Sequence, residues 1–172
     1  TTLLNLPEEA NLRSADGSYT RALNWPCVVM TADCLPILFC NTSGSQVAAV
    51  HAGWQGLSNG IVSKVVATFA DPASILVWMG PAIGPDAFEV GPDVLAAFDI
   101  DPSHVPQEFT PVNTKPNKWM GNLYALARKE LAGLGVTQVF GGEHCTLSDA
   151  EHFYSHRRDP QSGRMASLIW II

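Results

Sequence analysis

The chain has 172 residues, 47% of them apolar and 15% charged, with a formal net charge of −6. That length and composition suffice for one domain with a sizeable core and exclude a disordered chain. The acidic balance, with no basic cluster beyond His156-Arg157-Arg158, excludes a nucleic-acid surface, and no apolar run reaches the ~18 residues that would span a bilayer.

Leu3, Leu4 and Leu6 open an apolar pattern in mid-course, with no basic-then-apolar leader before them. The expectation is a single domain over 1–172 that lacks the N-terminal portion of a longer protein. Residues 7–18 are polar and read as a loop. Cys27 to Thr31 reads as a buried strand, interrupted at Asp33-Cys34 and resumed over Leu35 to Cys40. Pro36 removes a ladder donor, which predicts a bulge or strand start. Asn41 to Ser45 is a turn, and Gln46 to Val50 returns, ending on His51, so 27–50 reads as a hairpin.

Gly53-Trp54-Gln55-Gly56 leads from strand to helix and offers free N–H groups as an anion seat. Leu57, Ile61, Val65, Val66 and Phe69 predict one helix over 57–69, stopped by Asp71-Pro72. Ile75 to Met79 is a strand that runs into Gly80-Pro81-Ala82-Ile83-Gly84-Pro85, a stiff loop. A short strand is expected over 86–90, a helix from Pro92 to Phe98, and a long surface excursion over 99–117. An amphipathic helix over 123–134 ends at Gly135. Short strands follow at 137–140 and 165–172. Hairpins with at most two crossover helices give an α+β fold, a mixed α/β sandwich.

Cys34 and His51 stand at the ends of two strands expected to pair. Three chemistries fit such a pair: zinc held by thiolate and imidazole with further ligands, a Cys34 nucleophile activated by His51, or copper. Five scattered histidines are too few for a multi-copper centre. Adjacent residues in a strand face opposite sides, so His144 and Cys145 are read as structural, and Cys27 and Cys40 as core. Arg157, Arg158 and Arg164 are candidates for holding a phosphate or carboxylate; the alternative is a solvated turn with ion pairs to Asp159 or Glu151. The cysteines show no disulfide spacing, in keeping with a cytoplasmic protein with reduced thiols.

Four co-linear motifs resemble the YfiH family, also called the multicopper polyphenol oxidoreductase or laccase-domain family. They are Val29 to Pro36, His51-Ala52-Gly53-Trp54, Gly80 to Pro85 with Phe88-Glu89-Val90-Gly91, and Ser155 to Asp159 with Gly163 to Ala166. The resemblance implies an α/β sandwich related to cysteine hydrolases. It also implies zinc held by Cys34, His51 and a His of an upstream Gln-Val-His-Gly motif, which would precede Thr1. The implied activity is a purine nucleoside phosphorylase acting on adenosine, inosine and methylthioadenosine, with nucleoside and phosphate as its partners and adenosine deaminase as a side activity. Cys34 and His51 would be both ligands and catalytic residues, and Gln55, Arg157 and Arg158 would contact substrate. Gln55 stands where the family usually has Arg, and His156 where it has another aromatic. The alternatives are a laccase-like polyphenol oxidase, a metal-free Cys-His hydrolase and an inactive truncated scaffold.

Overall fold

A computed structural model describes residues 1–11 and 14–172. Fifteen elements follow in chain order: strands β1 (Leu3–Leu6), β2 (Gly17–Thr20), β3 (Cys27–Thr31), β4 (Leu35–Asn41) and β5 (Val47–Ala52), then helices α1 (Trp54–Ser58) and α2 (Ile61–Val66). Next come β6 (Ile75–Met79), β7 (Glu89–Val90), α3 (Pro92–Ala97), β8 (Phe109–Pro111), β9 (Trp119–Gly121), α4 (Leu123–Gly133), β10 (Gln138–Gly141) and β11 (Met165–Ile169). No helix among the described residues is long and apolar enough to cross a membrane.

The central sheet has the order β1-β2-β5-β4-β6-β10, with β5, β4 and β6 antiparallel and both edge pairs parallel. Period-two alternation gives its middle strands two different faces. Leu35, Ile37, Phe39, Ala48, Val50 and Ala52 point into a core shared with α1, α2 and α4. Val47 and Ala49, with Leu38 and Cys40, point the other way, against Cys27 and Val29 of β3 and Ile169 of β11. The result is a mixed sandwich of α+β class: helices, a six-stranded sheet, then a two-stranded β3–β11 layer. The small β7-β9-β8 sheet stands beside them.

Several expected elements are redrawn. β3 and β4 are not one interrupted strand: Asp33, at φ 85°, turns the chain from the outer layer into the central sheet. The hairpin is therefore β4–β5 alone, in register Pro36↔His51 and Leu35↔Ala52. Pro36 stands second in β4, near the strand start as expected. The helix over 57–69 is two short helices, parted at Gly60, whose φ of 71° ends the first and caps the second. Residues 99–117 are no mere surface excursion, since they carry β8 and bury Glu108 and Phe109. The loop over 7–18 includes Leu12 and Arg13, which lie outside the described residues, and it closes into β2. That strand escaped periodicity because Gly17 sits hard against Val50: a Cβ there would lie 2.5 Å from the Val50 side chain.

Candidate active site

The β4–β5 register sets the site. Continued one step past Leu35↔Ala52, it puts Cys34 opposite Gly53. A Cβ on Gly53 would lie 2.8 Å from Cys34 Sγ and 3.8 Å from His51 Nε2, so both donor atoms flank one small space kept open by the missing side chain. The His51 N–H donates to the Asp16 carbonyl at 2.7 Å, which fixes that end of β5 against the chain leading into β2.

Burial governs both groups. It lowers the His51 pKa, against a smaller upward pull from the Asp16 charge, so the ring favours the neutral form that a metal ligand needs. It raises the Cys34 thiol above its ordinary value, reinforced by Asp33 and opposed by the Arg164 charge. A thiol in that setting is a weak free nucleophile and becomes a thiolate only with a cation beside it. A thiolate and a neutral imidazole around one gap fit two positions of a zinc site. Among the described residues no third His, Cys, Asp or Glu joins them.

Asp33 ties the surrounding motifs together. Its carbonyl accepts the Ile83 N–H at 2.9 Å, anchoring the Gly80–Pro85 loop. Its buried carboxylate accepts the Thr146 hydroxyl at 2.6 Å, the Ser155 hydroxyl at 3.1 Å and the Arg157 N–H at 2.6 Å. Three segments remote in sequence are thus fastened beside Cys34. Tyr124 makes a second tie: its hydroxyl accepts the Ala82 N–H and donates to the His144 carbonyl, both at 2.7 Å. Burial pushes its pKa up to about 12, so it stays protonated.

The arginines divide. Arg158 spends its guanidinium on the carbonyls of Thr146 and Leu147, both at 2.9 Å, and of Phe153 at 2.6 Å, so its geometry is that of a loop clamp. Arg157 sits 5.9 Å from the Phe88 ring centroid and donates to the Glu89 carbonyl. Arg164 donates one guanidinium nitrogen to the neighbouring carbonyls of Ser162 and Gly163, and its charge reaches Cys34. None of the three forms an ion pair among the described residues, so the alternative pairs with Asp159 or Glu151 are not made there. Gln55 is exposed on α1, a helix of five residues.

Two spaces open beside the pair, one at Cys34 and the other at His51. A cavity of about 50 Å³ lies at Asp33, Cys34, Trp54, Ile83, Phe88 and Leu123. A groove of about 560 Å³, lined by Leu4, Leu6, Gly17, Trp25 and Met30, reaches His51. A third cavity of about 400 Å³ holds both His144 and Cys145. The alternation argument against those two sharing a space fails because Cys145 makes only an isolated bridge, to Ala82, and lies outside any strand.

Asp33 is the residue that sequence reasoning passed over, taking it only as a strand interruption. A charged residue inside a buried apolar run was the signal, since a buried carboxylate requires several donors. Gly53 was read only as part of a strand-to-helix connection with free N–H groups, and its role as a gap needed the β4–β5 register.

The profile of a family described as multi-copper polyphenol oxidoreductase laccase matches residues 1–172. A Haemophilus influenzae protein named purine nucleoside phosphorylase is 48% identical over 171 residues, covering 99% of this chain and 70% of the relative. An Escherichia coli protein named purine nucleoside phosphorylase YfiH is 50% identical over 161 residues, covering 93% and 65%. The chain thus spans about two thirds of the length of these relatives. A Neisseria meningitidis protein of solved structure superposes with a TM-score of 0.91 at 43% identity, over 99% of this chain and 70% of that one. YlmD from Geobacillus stearothermophilus gives 0.86 at 28% identity, over 98% and 69%. A profile match from first residue to last, with relatives this similar, means that the chain belongs to the YfiH, or multi-copper polyphenol oxidoreductase laccase, family.

Proposed function

We propose that the protein is a cytoplasmic, zinc-dependent purine nucleoside phosphorylase for adenosine, inosine and methylthioadenosine, with adenosine deamination as a side activity. The observation that carries this reading is the approach of Cys34 Sγ and His51 Nε2 to the gap over Gly53, in a chain half identical to proteins named for that activity. Four free cysteines accord with a reducing compartment.

Bound zinc supplies Lewis-acid polarisation of an oxygen at the reacting centre. The chain's residues supply the setting. Cys34 and His51 would hold the ion at the gap over Gly53. Asp33 fixes the loops that carry Ile83 and Arg157. Arg164, whose charge reaches Cys34, seats the phosphate, with Arg157 and Gln55 at the rim. Arg158 holds the loop through its three carbonyl contacts. The groove at His51 falls within the ~300–1,000 Å³ usual for small-molecule sites.

In phosphorolysis a phosphate oxygen bonds to C1′ as the C1′–N9 bond breaks. The bond's electron pair leaves with the purine, which takes up a proton. In deamination water adds at C6 and ammonia departs. The raised Cys34 pKa disfavours a metal-free thiol hydrolase. The test is release of adenine and ribose 1-phosphate from adenosine and phosphate, with and without chelator, for wild type and Cys34→Ala. Both chelator and substitution are expected to stop turnover, and turnover indifferent to both overturns the reading.

A further inference from the structure

Among the described residues, Thr31 Oγ1 is the buried side-chain polar atom left with no hydrogen-bond partner. Other buried polar side chains meet theirs. Thr146 and Ser155 donate to Asp33, Thr20 donates to the Leu6 carbonyl, and Gln46 donates to Thr68. A hydroxyl taken out of water without a partner costs free energy, so one that persists calls for an explanation.

Strand geometry says what Thr31 faces. β3 alternates, with Cys27, Val29 and Thr31 buried and Val28 and Met30 exposed, so the Thr31 side chain projects from the outer layer toward the central sheet. On that sheet Val47 and Ala49 face the layer, and His51 follows them at the same period. Cys34, opposite Gly53, has the same orientation, since directly paired residues share a face. Thr31, Cys34 and His51 therefore all project between the two layers. Only Ala32 and Asp33 separate the end of β3 from Cys34. The neighbouring strand agrees: Met165 pairs with Thr31, and the charge of Arg164, next to Met165, reaches Cys34. The charge that reaches His51 is that of Asp16, which leads into β2. Cys34 is thus the member of the pair that borders this end of β3.

We propose that Thr31 is a positioning residue for the Cys34 sulfur, its hydroxyl donating a hydrogen bond to that sulfur when it serves as a zinc ligand. The proposal rests on the zinc site of the proposed function and adds a group to it. A ligating sulfur keeps lone pairs that a neighbouring hydroxyl can use, and such outer contacts orient the ligand and tune its donor strength. A buried hydroxyl that costs the fold stability and serves a ligand is a local rule broken for a site.

The test compares wild type with Thr31→Val, which keeps the shape and removes the hydroxyl, and Thr31→Ser, which keeps the hydroxyl. Cobalt(II) is the probe, because a cobalt–thiolate site shows a sulfur-to-metal charge-transfer band. In Thr31→Val that band should move to longer wavelength, since a sulfur without a hydrogen-bond donor holds its electrons less tightly. Cobalt and zinc affinity should fall about tenfold. Thr31→Ser should restore both. With chelator present, the urea midpoint of Thr31→Val should equal or exceed that of wild type, because the substitution removes an unpaired buried hydroxyl. A band and an affinity unmoved by Thr31→Val overturn the proposal, and a lowered midpoint beside them assigns the hydroxyl to the fold. Weaker binding with an unmoved band also overturns it, and places the hydroxyl on the His51 ring. Wild type that takes up no cobalt overturns the zinc reading and this proposal together, so the two failures are told apart.

Discussion

Cys34 and Cys145 both border the Gly80–Pro85 loop and are prepared by opposite means. Cys34 sits half-buried near the His51 imidazole, where burial holds its thiol above the ordinary value of 9.0. Burial also pushes Cys145 up, but less than its hydrogen bonds pull it down. Those bonds come from the Ser148 hydroxyl and from the N–H groups of Ser148, Gly84 and Leu147, and the net shift is below 9.0. The first sulfur needs a cation to become a thiolate, whereas the protein's own donors favour that form in the second. A perturbed cysteine is therefore not a single signal: the direction of its shift separates a thiol that burial keeps protonated from one whose ionisation the neighbouring donors favour.

The largest expected effect breaks the comparison outright. Cys34→Ala and His51→Ala should each remove stoichiometric zinc, measured by elemental analysis. They should also lower kcat/KM for adenosine phosphorolysis by more than about 100-fold, the rate equivalent of ~3 kcal/mol of transition-state stabilisation. Cys145→Ala should leave both within about threefold. If Cys145→Ala loses the metal instead, the roles assigned to the two sulfurs are reversed.

Asp33→Asn tests what holds the two regions together, since its carboxylate accepts from Thr146 beside Cys145 and from Ser155 and Arg157. An amide turns one acceptor into a donor facing other donors. The expected cost is about 2–3 kcal/mol in urea unfolding, with a rise in KM for phosphate that exceeds any fall in kcat.

Gly53→Ala sharpens the Cys34 side alone. Its φ of −64° suits any residue, so the effect is steric: the new Cβ would stand 2.8 Å from Cys34 Sγ. Zinc affinity should drop about tenfold with little change in melting temperature. Gly133→Ala, where the new Cβ meets nothing within 4 Å, should be neutral or stabilising by up to ~1 kcal/mol.

Much of this was legible in the sequence. The strands at 35–40, 75–79 and 165–169 are dense in β-branched and large apolar residues, and α4 has its period and a terminating Gly135, so local chemistry decided them. Cys34 and His51 could be paired because the β4–β5 hairpin is a short-range structure. What escaped depends on distance along the chain. Asp33 finds its partners more than a hundred residues away. Arg158 could be told from Arg164 only once the carbonyls of 146, 147 and 153 were in place. β3 leaves its expected hairpin for β11 because one residue at positive φ redirects the chain.

Alkylation reads the two sulfurs directly. At pH 8 and without metal, Cys145 should react with iodoacetamide faster than Cys34, as followed by peptide mass spectrometry. The pH of half-maximal rate should lie below 9.0 for Cys145 and above it for Cys34. Zinc should protect Cys34 and leave Cys145 unchanged.

The smallest effect is on alkaline stability, where the two thiols act with opposite sign. Cys145 titrates lower in the folded chain than at 9.0 in the unfolded one, so its ionisation favours the fold. That contribution is complete above pH 9 and fades as pH falls through the folded value. Cys34 titrates higher when folded, so its contribution is complete below pH 9 and is lost as pH rises toward the folded value. Between pH 8 and 10 the metal-free Cys145→Ser variant should therefore lose stability relative to wild type as pH increases, whereas Cys34→Ser should gain it. Both slopes are measured by urea midpoints at stepped pH. Because burial offsets part of the hydrogen-bond effect at Cys145, its slope should be the shallower. A loss with rising pH in both variants would mean that hydrogen-bond donors, rather than burial, set the ionisation of both sulfurs, and a gain in both would mean that burial does.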